Sequence, residues 1–112
     1  MSVERLRPLT VDRLAKRDGR RCLHCGTTEG LTVQHRANRG HGGSRSAESP
    51  ANGIILCGLL NGRLESDPDA AELARLAGWK LSRHVDPAAW PVWDAVARVW
   101  WLLDHEGERC RA

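Results

Sequence analysis

The residues best suited to chemistry are four cysteines and a set of spaced amide and imidazole side chains. Cys22 and Cys25 form a C-x2-C pair, with Cys57 and Cys110 further along the chain. Nothing in the sequence points to secretion, so this usage favours a metal site over a disulfide framework. The stretch GIILCGLLNGRLES, residues 53–66, poses the sharper question. Cys57 is followed three positions later by Leu60 and then Asn61, where a second cysteine and a histidine would complete a metal-binding pattern. The segment is either a damaged metal site or a working one with different ligands. Gln34 and His35 begin nine positions after Cys25, Asn52 precedes Cys57 by five, and Asn61 follows it by four.

The elements that must position these residues are short. PLTVDRLAKRDG reads as a helix capped by Thr10, with Val11 and Leu14 three apart and Gly19 as terminator. A knuckle turn, RCLHCG, leads into the alternating run Leu31–Thr32–Val33, a strand that delivers Gln34 and His35. NRGHGGSRSAESPAN is a long polar loop, functional or disordered. GIILC reads as a short buried strand and Gly58 opens a helix. SDPDAAELARLAGW is a second helix, with Asp67 as cap, Pro68 at its first position and Gly78 past its end. WKLSRH alternates as a strand. The Trp-rich tail fits one helix or two β segments, PVW and RVWWLLD. Adjacent Trp–Trp and Leu–Leu, with DHEGE as a turn, favour strands.

The motifs CLHC, QHRANRGHGGS, SPAN and ILCGLLNG, taken in order, resemble the HNH endonuclease family. The likeness is greatest to small HNH proteins of actinobacterial phages, continues through LESDPDAAELARLAGW, and spans about residues 10–105. It implies an α+β fold: a small ββα-metal, treble-clef-like core with an N-terminal helix, a following helix and a Trp-rich C-terminal β extension. The chain would be a single domain over 1–112, with its motif core at about 20–66 and the extension at about 79–112. The implied activity is metal-dependent DNA endonuclease, with a possible place in phage DNA packaging beside a terminase, or in homing.

Carried over by the resemblance, His35 is the general base that activates water, a role suited to imidazole at neutral pH. Asn52 holds the His35 ring or its loop. Asn61, at the family's final histidine position, offers a carbonyl oxygen to Mg²⁺ or Mn²⁺, which would stabilise the leaving oxygen. Gln34 stands where the family places an Asp or His ligand, and Glu65, one turn past Asn61, is a further candidate ligand. Arg36, Arg39 and Arg45 would grip flanking phosphates, and His41 in the glycine loop is either solvated or close to the phosphate. Leu60 replaces the fourth structural cysteine. A structural zinc would therefore have Cys22, Cys25 and Cys57, with Cys110 as a fourth ligand if the tail folds back. His24 is expected to point away from the knuckle, and His84 and His105 to sit on the surface without partners.

Charge is uneven: net +6 over residues 1–45 and net −3 over 46–112. A basic half suits a polyanion partner, and equally an arginine-rich surface with no such role. No apolar run approaches the ~18 residues of a membrane span and no signal-peptide core follows Met1, so a cytoplasmic protein is expected, in the host cell if phage-encoded. The core is thin, with no Phe or Tyr and five Trp, which are expected mainly in the core but could stack on bases. Two other readings stay open: an HNH-like DNA-binding module that has lost catalysis, and a zinc-type scaffold for a protein partner.

Overall fold

The computed structural model describes residues 7–38 and 45–112. Helix α1 (Val11–Asp18) begins where Thr10 Oγ1 accepts the Arg13 N–H at 3.1 Å and ends at Gly19, whose φ of 83° lets its N–H close on Ala15 O. Its buried Leu14 packs with Leu9 and Ile55 to form a small outer core. The knuckle follows, closed by Cys22 N–H to Thr27 O and Gly26 N–H to Cys22 O, both 2.9 Å.

Strands β1 (Leu31–His35) and β2 (Gly53–Cys57) pair antiparallel, Leu31 opposite Cys57 and His35 opposite Gly53. Strand β2 is buried along its whole length, which explains its unbroken apolar sequence. Ile54 and Leu56 face the main core, while Ile55 faces α1. Gly53 makes room for this packing: a Cβ there would meet Leu9 Cδ1 at 2.5 Å and Leu14 Cδ1 at 3.1 Å, and those side chains would have to shift.

Helix α2 (Gly58–Ser66) starts directly from β2, with Cys57 as its cap, and α3 (Pro68–Leu76) starts from Asp67, whose carboxylate accepts the Asp69 N–H at 2.9 Å. Beyond Gly78, at φ 76°, the chain delivers Trp79 into the main core, where its indole N–H donates to Trp93 O at 2.8 Å. The C-terminal region forms a second antiparallel sheet, β3 (Val92–Asp94), β4 (Val99–Leu103) and β5 (Arg109–Arg111), in that order.

The whole is a small α+β structure with three α-helices and two antiparallel sheets among the described residues. No described helix is long and apolar enough to cross a membrane. The tail is strands, as its sequence favours, but WKLSRH is not one. That segment makes only an isolated bridge between Ala37 and Leu81, because the Trp79 ring and the Leu81 N–H to Arg36 O bond pin it as a strap across the end of β1. The Trp residues also divide: Trp79 is fully buried, whereas Trp90 and Trp100 are about half exposed, at 50% and 41%.

Candidate functional site

Two clusters lie at opposite ends of the β1–β2 hairpin. At the Leu31/Cys57 end, the sulfurs of Cys22, Cys25 and Cys57 lie within 4.8 Å of one another, with Cys25 Sγ 4.0 Å from Cys57 Sγ. Cys22 and Cys57 are buried and Cys25 is exposed. Burial raises the Cys22 thiol, but backbone N–H groups of the two turns outweigh it and hold the thiol below its ordinary value. Cys25 lies above its ordinary value: the Thr27 N–H lowers it, but burial and the neighbouring Cys22 and Cys57 thiols raise it more. The three thiols could hold a metal ion such as zinc. Cys110 is not among them. It sits exposed on β5, opposite Leu102. His24 is likewise not a ligand, because its ring packs edge-on to Trp79 at 5.3 Å.

At the other end, His35 Nε2 lies 3.1 Å from both carboxylate oxygens of Glu48. Glu48 Oε2 also accepts the Leu9 N–H at 2.8 Å. Burial would raise the Glu48 carboxyl, but the Leu9 N–H, His35 and Arg13 together hold it below its ordinary value. Asn52 is fully buried. Its Oδ1 accepts the Ala37 N–H at 2.8 Å, and its Nδ2 donates to Ala37 O at 2.9 Å and Ala47 O at 3.0 Å. It therefore fastens the two ends of the intervening loop, rather than the imidazole itself. Asn61, on α2, donates from Nδ2 to Thr32 Oγ1 at 3.0 Å and to Val33 O at 3.5 Å.

Several expected site residues are placed differently. Gln34 is buried and donates from Nε2 to Trp79 O at 3.2 Å. Strand alternation puts it on the face opposite His35, which shares its side of β1 with Val33 and the α1 core. Glu65 is exposed on α2, and no group of three His, Cys, Asp or Glu ligands other than the thiols forms among the described residues. Of the expected donors to a catalytic cation, Gln34 and Asn61 each keep an amide oxygen without a bond to a described residue, and Glu65 is exposed and joins no other carboxylate, imidazole or thiol there. Two neutral amides and one exposed carboxylate are a weak donor set for Mg²⁺ or Mn²⁺.

Arg36 cannot reach a phosphate: it is 1% exposed, and its guanidinium donates to the carbonyls of Gly78, Ala51, Pro87, Trp90 and Pro91. Burial, with Arg17 nearby, pushes its pKa down to about 10. Arg39 and His41 lie outside the described residues, as does the side chain of Arg45, whose backbone opens the 3-10 turn Arg45–Glu48.

Two residues were missed at the sequence level. Glu48 had a signal, since it is the only acidic residue between Glu29 and Glu65. His105 had none. It is not unpartnered but bridges Ser49 Oγ, through Nδ1, and Asp86 Oδ1, through Nε2 at 2.9 Å, tying the β4–β5 turn to the loop that carries Glu48. No family model, curated protein or solved structure matches the chain.

Proposed function

We propose that the chain hydrolyses phosphodiester bonds in DNA as an HNH-type endonuclease, with His35 as general base. The observation that carries this reading is the His35–Glu48 pair, held at the loop end of an antiparallel hairpin that runs directly into α2. In this reading Glu48 accepts the Nε2–H of His35, fixing the tautomer that presents Nδ1 to a water. As His35 takes the proton, the same carboxylate stabilises the imidazolium that forms. Asn52 keeps the loop closed so that Glu48 stays in reach. The basic first half of the chain supports a polyanionic substrate.

Nicking of supercoiled plasmid, with Mg²⁺ or Mn²⁺ and with chelator, tests the proposal. Wild type should nick, and His35→Ala should lose about a hundredfold or more of the rate, the range of general-base catalysis. Protein that retards DNA in a gel but never nicks it, whatever the ion, would sink the nuclease reading. It would leave the DNA-binding module without catalysis, the alternative that the inward-turned Gln34 favours.

A further inference from the structure

The thiol cluster is built from two turns with the same three-residue spacing. In the first, Cys25 follows Cys22 by three residues, in a turn closed by the Gly26 N–H to Cys22 O bond at 2.9 Å. In the second, the backbone N–H of Leu60 bonds to the sulfur of Cys57 three residues earlier, at 3.4 Å. Leu60 thus takes in the second turn the place that Cys25 takes in the first. Its side chain is 6% exposed and belongs to the same packed core as Cys22, Leu23 and Cys57. Where a fourth thiolate would complete the spacing, the chain offers a packed hydrocarbon side chain.

Distances alone do not choose an ion. With metal–sulfur bonds of about 2.3 Å, sulfurs lie about 3.8 Å apart around a tetrahedron and about 4.0 Å apart in a trigonal plane. The 4.0 Å between Cys25 and Cys57 accommodates either. The missing donor decides. Four-coordinate zinc needs a fourth donor, and no fourth His, Cys, Asp or Glu joins the group among the described residues. Zinc would have to take a water as its fourth ligand. A soft ion satisfied by three sulfurs needs nothing more than Cys22, Cys25 and Cys57.

From this arrangement we infer that Cys22, Cys25 and Cys57 form a three-thiolate site, with Leu60 in the place of a fourth donor, that takes a soft ion of the Cu(I) class in trigonal coordination and takes zinc only weakly. This inference is independent of phosphodiester chemistry, and its readouts do not involve DNA.

The test uses the full chain, reduced and stripped of metal, titrated anaerobically with Cu(I) or Zn²⁺ against a chromophoric chelator. One Cu(I) per chain should bind with a sulfur-to-metal charge-transfer band, and Cys25→Ser should abolish it. Leu60→Cys should raise zinc affinity by at least about a hundredfold by supplying the fourth thiolate. The same change should move Cu(I) affinity by less than about threefold. Should Leu60→Cys misfold, X-ray absorption of wild-type protein loaded with Cu(I) decides the matter, with three sulfur neighbours and no nitrogen or oxygen as the expected shell. A mixed or two-sulfur shell, wild-type zinc affinity equal to that of Leu60→Cys, or Cu(I) binding that survives Cys25→Ser would each overturn the inference.

Discussion

Glu48 joins three parts of the chain through one carboxylate: its own 3-10 turn, the backbone of Leu9 ahead of α1, and the ring of His35 at the end of β1. If His35 is the base, Glu48 is its positioning residue, and the two should fail differently. Glu48→Gln keeps a hydrogen-bond acceptor near Nε2 but removes the charge that stabilises the imidazolium. The turnover rate should fall by roughly a hundredfold, at the lower end of general-base effects, with KM unchanged. Steady-state kinetics on a short duplex would check this, and a change confined to KM would place Glu48 in DNA binding instead. At this scale the sequence was half legible. The nominated His35, Asn52 and Asn61 rested on motif spacing, and the lone acid at 48 was visible to anyone counting charges. The direction of Gln34 was not, because strand alternation fixes opposite faces but does not say which face meets Trp79, forty-five residues later.

The elements that read clearly were those whose ends are set by their own residues. Thr10 and Gly19 bound α1, and Asp67 and Pro68 open α3, because caps and φ preferences act within one turn. WKLSRH failed for the opposite reason: its alternation is overridden by long-range bonds to Arg36, which sits beyond the end of β1. Arg36 gathers carbonyls from the Ala51 turn, from Gly78 past α3 and from the segment 87–91 before β3 into one clasp. No local signal marks an arginine as buried, which is why it passes for a phosphate ligand. Arg36→Met should strand those carbonyls and destabilise the fold by about 3 kcal/mol or more, visible as a lower urea midpoint at unchanged slope. Arg36→Lys should restore only part of this, since an ammonium has three donors and no planar fork. Neither change should alter the salt dependence of DNA retention in variants that still fold, whereas a phosphate contact would flatten it.

Two depressed carboxyls make the stability of the molecule depend on acid pH, and the sign can be worked through. Asp94 is fully buried at the turn between β3 and β4. It accepts the N–H groups of Val96 and Ala97 and the indole N–H of Trp101, and faces Arg21 at 3.3–3.4 Å. Burial alone would raise its pKa, but the Ala97 N–H, Arg21 and Trp101 outweigh it and hold Asp94 below 3.8, as Glu48 is held below 4.5. Each group therefore binds its proton more weakly in the folded chain than in the unfolded one. Their stabilisation is complete above the ordinary carboxylate range, at neutral pH, and is lost as pH falls through the folded values, below about pH 4. Melting temperature should change little on account of these groups between pH 8 and 6 and then fall steeply in acid. Asp94→Ala takes the acceptor from three part-buried donors and the partner from Arg21, which costs about 3 kcal/mol and should lower Tm at pH 7 by about 10 °C or more. The same variant should show a shallower acid limb, because the group whose protonation drives part of that loss is gone. Thermal melts of both proteins from pH 8 to 3 would decide it. If the variant were less stable at pH 7 yet kept the full wild-type acid limb, the acid sensitivity would belong to the other depressed carboxyls, Glu48 at the His35 end of the hairpin, the Asp67 cap of α3 and Asp12, rather than to the C-terminal sheet.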